Sequence, residues 1–584
     1  MDTTFNIWGK LRLKSGGLRG LGYSALAYSR QAVYFGFRVR HRVERQSAPS
    51  RPGIGMTRPE YDVILVGYGP VSEALALMLG RQGRRVAVCE RWRERYPLPR
   101  AVCIDHELYR VLMANGLGAA LQNITQPGPL YQWFNAEWKE LLTIDWSKPS
   151  ISGGVEVNFV HQPTFESAMD EAVRAQPSVD LFLGCEVIAV SQDSAGAVVT
   201  IREDSAERTL TARYVIGCDG ANSLVRAAIG GEQKDQGFDA DWLVIDVRLK
   251  PGVTIERLGI PAAGQYCDPR RPTTIVPAGI SGSQVYRRWE FMRMPGESVA
   301  ELEREARVWE LLGPWAGPDE VELVRHKVYN FRSLLATRWR DRRLLIAGDA
   351  AHVMPPFMGQ GMCSGLRDAW NLSWKLGLVL DGRADDRLLD SYQVERQPHV
   401  EQLIDLSIYL GKVICVLDPE AAAARDQAFF ERTAPPPPAF PHLTDGLFHR
   451  PDGHDFQPGA GLLSPHVEIE QGGRVARLDD VDGGEGFLLV ARGLDPAVAT
   501  RVLDEFPIRV VELGTKVGSA RDKDGRLDSF LDAQGWSAMI IRPDFFVYGG
   551  ATDGPALERL ALALADDLAR AGVRLAPLTP MEVS

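Results

Sequence analysis

Cysteine is scarce in this chain. There are seven in 584 residues (Cys89, Cys103, Cys185, Cys218, Cys267, Cys363, Cys415), and no two stand in Cys-x-x-Cys spacing. A thiolate zinc site or a dithiol redox centre needs that spacing, and a disulfide framework needs a denser set. All three are excluded, no metal is expected, and a reduced, cytoplasmic protein is the expectation. Long hydrophobic runs are missing too: none approaches the roughly 20 residues of a membrane span. Nor is there a basic excess. The net charge of -10 argues against a nucleic-acid partner. What is present, 45% hydrophobic residues in a long chain, can bury several cores, so two or three domains are expected.

The charge is unevenly spread. Residues 1–55 hold ten Lys/Arg against only Asp2 and Glu44. Arg19, Arg30 and Arg38 interrupt the apolar stretches, so this is no secretory core. The segment 1–58 reads as a disordered or misassigned extension with Met56 as the true start, and a targeting segment is the alternative.

From Tyr61 the pattern sharpens. Val63-Ile64-Leu65-Val66 is a buried strand, Gly67-Tyr68-Gly69-Pro70-Val71-Ser72 a turn, and Ala74 to Leu79 an amphipathic helix. A second strand, Arg85 to Cys89, ends at Glu90. This is a βαβ unit with a dinucleotide fingerprint. Gly67 makes the tight turn, Gly69 admits a pyrophosphate, Ser72 stands where a third glycine is usual, and Glu90 is placed to accept from a ribose hydroxyl. Arg100, just beyond, is a candidate cofactor contact. Residues 128–160 are strand-like and aromatic, and 181–216 form a meander.

Two more strand-to-helix turns follow. Tyr214 to Gly217 leads into Asp219-Gly220-Ala221-Asn222-Ser223-Leu224-Val225-Arg226. Leu344 to Ala347 leads into Gly348-Asp349, and Pro355, Pro356, Gly359 and Gly361 forbid regular structure for about ten residues before a helix with Leu366, Ala369, Trp370, Leu372, Ser373 and Leu376 inward. A strand, an acid, a glycine-rich loop and a helix start together suit a polar, partly anionic ligand. Residues 240–335 are β-rich and 387–412 helical. The proline run Pro435 to Pro438 marks a boundary, and strands restart beyond 455.

The order G-x-G-x-x-(G), D-G-x-x-S-x-x-R, G-D resembles the class A FAD-dependent aromatic hydroxylases, the para-hydroxybenzoate hydroxylase group, over residues 60–400. YPLPRAV at 96–102, CDPRRPTTIV at 267–276, RRWEFMR at 287–293 and the segment 354–376 are most similar to 3-(3-hydroxyphenyl)propionate hydroxylases. The fold this implies is α/β: a Rossmann-like FAD-binding domain with an inserted β-rich substrate domain (59–400), a helical, proline-rich connector (401–455) and a C-terminal thioredoxin-like domain (456–584) without its Cys-x-x-Cys.

The resemblance also implies roles. Gly67, Gly69, Ser72 and Glu90 would hold the ADP half of FAD. Arg100 would meet flavin phosphate or pyridine nucleotide, and Gln162 the isoalloxazine edge. Asp219, Gly220 and Arg226 would line the cofactor and NAD(P)H side. Gly348 and Asp349 would bind ribitol, and Pro356, Gly359 and Gly361 would pack at the flavin ring. NADH or NADPH would reduce the flavin, and O2 would supply the oxygen placed ortho to the hydroxyl of a phenol. A base that favours phenolate would help, and His106, His161 and Tyr266 are the candidates. Arg287 and Arg288 would anchor a propionate side chain or stand as solvated strand residues. A carboxylated phenol such as 3-(3-hydroxyphenyl)propionate is the first expected substrate and an uncharged or resorcinol-like phenol the second; the alternatives are another flavin oxidoreductase of this fold acting on a polycyclic or uncharged phenol, and a non-enzymatic flavoprotein or interaction module. A halogenase is disfavoured because no Trp-x-Trp-x-Ile-Pro occurs. A homodimer is left open.

Overall fold

The computed structural model describes residues 59–574, apart from 96–99, 437, 484–485, 504–505, 507 and 517. The readings of the N-terminal extension and of most of YPLPRAV lie outside the described residues. In chain order, β1 (Tyr61–Val66), α1 (Pro70–Arg81) and β2 (Val86–Glu90) come first, then β3 (Cys103–Asp105), α2 (His106–Leu112), β4 (Leu130–Phe134) and β5 (Glu140–Asp145). Next come α3 (Gln162–Arg174), β6 (Val179–Leu183), β7 (Ala206–Gly217), α4 (Leu224–Ala228), β8 (Gln233–Leu249), β9 (Ala263–Tyr266), β10 (Thr273–Ser281) and β11 (Gln284–Met292). Then follow α5 (Glu305–Leu312), β12 (Val321–Ala336), β13 (Leu344–Ile346), α6 (Gln360–Leu380) and α7 (Asp390–Ile414). The last part holds β14 (Phe487–Arg492), β15 (Ile508–Leu513), β16 (Ala538–Ile541), β17 (Val547–Ala551) and α8 (Gly554–Arg570).

β13, β7, β1, β2 and β6 lie side by side, all parallel. Strands buried on both faces need apolar residues at every position, and Val63, Ile64 and Leu65 are all inaccessible. The chain leaves this sheet to build a second, eight-stranded one that includes β12-β8-β11-β10-β9-β4-β5. One face of the second sheet packs on the loop before α6: Trp242 of β8 meets Phe357 at 5.7 Å between ring centroids. The other face packs on α5 through Leu243, Phe291, Val308 and Leu312.

The C-terminal strands form a third sheet, β15-β14-β16-β17. It is joined to the helices of the first part by buried charges. Glu395 of α7 accepts from Arg542 (2.7 Å) and Lys375 (2.7 Å), and Arg542 also meets Asp544 (2.6 Å). Burial pushes Lys375 down to about 8 despite its carboxylate partner. Arg110 and Asp479 (2.7 Å) make a second buried link. Among the described residues no helix is long and apolar enough to cross a membrane.

The expected ten-residue irregular loop is shorter. Pro356–Met358 is a 3-10 turn and α6 begins at Gln360, so Gly361 lies in the first helical turn. The reason is Gly359: its left-handed φ of 65° redirects the chain in one residue. A helix's first N–H groups have no intrahelical partner, so Gly361 costs little there.

Candidate active site

Three turns meet at the C-terminal ends of β1, β7 and β13. Gly67 has φ 93°, and a Cβ there would sit 2.6 Å from the carbonyl oxygen of Cys218, so the first and second turns touch backbone to backbone. Gly348 is equally constrained, since a Cβ would stand 2.8 Å from Val71. Gly365 of α6 completes the contact, with a Cβ position 2.5 Å from Val71 and 3.1 Å from the Gly348 Cα. Arg226 ties the second turn to the third by donating to the Ala350 carbonyl (2.9 Å) and to Ala221 (2.7 Å). It is a cross-brace between the two turns.

The remaining groups divide into those facing open space and those that hold the frame. A Cβ on Gly69 or Gly220 would meet nothing within 4 Å. Gly69 opens α1 and Gly359 opens α6, both without a side-chain cap, so both helices point uncompensated N–H groups outward. Asp349 is exposed beside the third turn. Asp219 spends one oxygen on the N–H groups of Leu224 (2.7 Å) and Val225 (3.2 Å), while its other oxygen is buried with no partner. Glu90 accepts from the N–H of Tyr68 (2.8 Å) and of Trp92 (3.0 Å), stiffening the first loop. Ser72 is fully buried in α1 with an unpartnered hydroxyl. Gln162 is likewise committed: its carbonyl accepts from the N–H groups of Arg100 and Ala101 (2.6 Å each) and its amide donates to Glu166 (2.5 Å). It clamps the 100–101 backbone, and Arg100 itself is exposed at that edge.

The key supports escaped the sequence reading. Asp368 of α6, fully buried, accepts from the Gly348 N–H (3.0 Å), pairs with His352 (2.7 Å) and receives Arg396 of α7 (2.9 Å). Burial opposes its charge, but His352 and Arg396 beside it hold its carboxyl below the usual range. Arg367, the neighbouring residue, bridges Asp105 and Glu107. Three charged residues (Arg367, Asp368, Lys375) on the buried side of an apolar helix were the available signal.

The proposed bases fall in three places. Tyr266 pairs across strands with Thr273, and Thr273 with Phe291, which places all three on the α5 face, away from the loop. Its hydroxyl donates to Ala136 (3.0 Å), and burial raises its pKa further. It is not beside the flavin site. A strand alternates sides every residue, and the sequence did not say which side was inner. His106, at the start of α2, bonds Ser152 (3.1 Å) and approaches Glu156 (3.5 Å). His161 bonds Thr164 (2.8 Å) and stacks on Tyr286 at 4.0 Å. Burial lowers the pKa of both. Neither arginine is solvated: Arg287 is spent on the Pro261 and Ala262 carbonyls, and Arg288 on Asp246 (2.7 Å).

Glu290 is the group the sequence reading passed over. It shares the loop-side face with Thr274, Gln265 and Trp133 by cross-strand pairing. Its neighbour in this layer is Cys103, whose sulfur stands 2.5 Å from the position of a Gly359 Cβ and whose thiol burial raises to about 12. Burial raises the Glu290 carboxyl, with Arg288 pulling the other way. A titratable acid thus lies on the loop-side face among Trp133, Thr274, Gln265 and Cys103, with Arg288 3.8 Å away.

FAD suits this donor set: open space at Gly69, two uncapped helix starts for the anionic parts, and an exposed acid and an unpartnered buried acid oxygen for hydroxyls. Known proteins agree. Residues 60–407 match the FAD binding domain family, and 459–567 the HcaD C-terminal domain. A probable NADH-specific resorcinol 4-hydroxylase of Rhodococcus jostii is 36% identical over 88% of this chain and 96% of its own. A 3-(3-hydroxy-phenyl)propionate/3-hydroxycinnamic acid hydroxylase of Comamonas testosteroni is 32% identical over 84% and 94%. In fold, the structure of aklavinone-11 hydroxylase with FAD and aklavinone superposes with a TM-score of 0.71 at 23% identity, covering 87% of this chain and 100% of that one. The chain belongs to the FAD-dependent aromatic hydroxylases, monooxygenases that use a reduced nicotinamide cofactor.

Proposed function

We propose that this monooxygenase hydroxylates a small phenol at the carbon ortho to its hydroxyl, with NADH as reductant. Phenol, O2, NADH and a proton give catechol-type product, water and NAD+: one oxygen atom enters the ring, and the other leaves as water with the two electrons of the hydride. Bound FAD supplies the hydride acceptor and the oxygen-activating ring. The chain's own part is to hold the phenol against the loop of Pro356 to Gly359, exclude water with Trp242, Phe331 and Phe357, and take the phenolic proton.

Glu290 carries this reading. An ionised carboxylate there accepts the phenol's proton, and the resulting phenolate directs oxygen to the ortho carbon. Its raised pKa brings it nearer to that of a phenol, which is what an efficient base requires. We assign the substrate to the uncharged, resorcinol type, whose 4-position is ortho to one hydroxyl. The specific support is that Arg287 and Arg288 are spent on carbonyls and on Asp246. A carboxylated phenylpropionate is the second reading, supported by the Comamonas relative's name.

Labelled O2 with a panel of both classes tests the reaction. Label in a catechol-type product supports it, and NADH consumption that yields only peroxide across the panel overturns it. For the base, kcat/KM of the wild type climbs as Glu290 ionises, along a limb displaced above the ordinary carboxylate range. Glu290→Gln flattens that limb and lowers the rate by roughly 10²-fold. An unchanged pH profile in this variant removes Glu290 from the role.

A further inference from the structure

We propose that the protein carries a second binding site, for an uncharged planar aromatic molecule, on the face of the large sheet turned away from the flavin loop, between Trp138, Tyr266 and Trp315. These rings border a cavity of about 310 Å³, within the range of small-molecule pockets and ample for one or two fused rings. Thr273, Phe291, Leu311 and Pro314 extend the lining, and Asp268, Arg271 and Glu310 also border it.

Trp138 is the telling residue. It sits in the turn between β4 and β5 with φ 60°, a left-handed conformation that side chains other than glycine and asparagine rarely adopt. Asn135 holds the turn, its side-chain carbonyl accepting from the N–H groups of Glu137 (3.0 Å) and Lys139 (2.9 Å). The result is a large indole left 45% exposed. It stacks on Tyr266 with ring centroids 4.6 Å apart and meets Trp315 edge-on at 5.3 Å. Tyr266 meets Trp315 at 5.5 Å and 82°, so the three rings form a stack with a perpendicular wall. The hydroxyl of Tyr266 is anchored on Ala136, which fixes the ring's orientation.

The charges at the rim are already satisfied. Arg271 pairs with Glu297 (2.5 Å), Asp268 with Arg270 (2.7 Å) and Glu310 with Arg307 (2.5 Å). The cavity therefore offers π faces and no uncompensated charge, which favours a neutral aromatic over a carboxylate. The site is separate from the catalytic one. Tyr266, Thr273 and Phe291 share a cross-strand row, while the adjacent residues Gln265, Thr274 and Glu290 form the row on the opposite, loop-side face. One sheet thus has an aromatic ligand surface on each side.

Equilibrium dialysis of the FAD-loaded enzyme with 2-naphthol, under nitrogen and without NADH, counts the sites. This probe does not depend on the identity of the substrate, so failure of the phenol-hydroxylase reading leaves the count interpretable. The expected result is one bound 2-naphthol per chain that disappears both in Trp138→Ala and in Leu311→Trp, which fills the cavity from α5. FAD content and kcat/KM stay unchanged in both variants, because neither residue lies on the loop side. Any further bound 2-naphthol, at the catalytic pocket, persists in both. Wild type with no site that either substitution removes overturns the proposal, as does binding that survives Leu311→Trp at unchanged affinity.

Discussion

Asp368→Asn separates the frame of the flavin site from its ligand-facing groups. The side chain is fully buried and takes three contacts: the Gly348 N–H at 3.0 Å, His352 at 2.7 Å and Arg396 at 2.9 Å. Asparagine keeps the shape but has one acceptor, no charge and an amide that must point at a donor. Arg396, 1% exposed, then lacks its carboxylate. Breaking a buried pair from one side costs about 3–5 kcal/mol, a large share of a typical 5–15 kcal/mol stability. The loss of one backbone hydrogen bond at Gly348, about 1 kcal/mol, weakens FAD binding by roughly a factor of five to ten.

Urea unfolding of the apoprotein and FAD titration by fluorescence quenching read the two effects. Asp349→Ala is the contrast: it leaves apoprotein stability within about 0.5 kcal/mol, as exposed substitutions do, and still loses most bound flavin. The pH dependence has a definite sign. The Asp368 carboxyl is depressed in the folded state, so its stabilisation is present above the unfolded value near 3.8 and is lost as pH falls through the lower folded value. The gap between wild type and Asp368→Asn therefore narrows toward pH 3. An Asn variant within 1 kcal/mol of wild type at pH 7, with normal FAD affinity, refutes the assignment of Asp368 as the support of the Gly-Asp turn.

Two further outcomes are expected. Arg542→Ala leaves Asp544 without its buried cation and Glu395 with Lys375 alone, costing about 3–5 kcal/mol, and limited proteolysis releases the C-terminal part sooner; a variant as stable as wild type with unchanged proteolysis dismisses the joint. Glu73 is buried in α1 with neither oxygen bonded, and burial, followed by Glu166, raises its pKa well above the usual value. Its contribution is complete below pH 4.5 and lost as pH rises through the folded value, so Glu73→Gln matches wild type near pH 4.5 and gains roughly 1–3 kcal/mol over it by pH 8 in thermal or urea melts; parallel pH curves reject this.

The parts of the fold that were legible in the sequence are those where the backbone itself is constrained. Gly67, Gly220, Gly348 and Gly359 all have left-handed φ, and all but Gly220 sit too close to a neighbour for a Cβ. A glycine at such a place is visible in one sequence because no other residue serves. The first strands were near for a related reason: the largely apolar runs Val63 to Val66 and Arg85 to Cys89 mark strands that span Tyr61–Val66 and Val86–Glu90. Side-chain direction is another matter. Tyr266 and Gln265 are adjacent, yet one faces the aromatic cavity and the other the flavin loop, and only pairing with Thr273 and Thr274 decides between them. The resemblance implied cofactor-side roles for Gln162 and Arg226. In the folded chain they satisfy the carbonyl and N–H groups that sharp turns leave unpaired. A flavin site built on three glycine turns creates such orphaned backbone groups, so part of its polar set must serve the frame. Asp368, Gln162 and Arg226 do that, and the function proposed above gives Asp349, Asp219 and the two uncapped helix starts to the cofactor and Glu290 to the phenol.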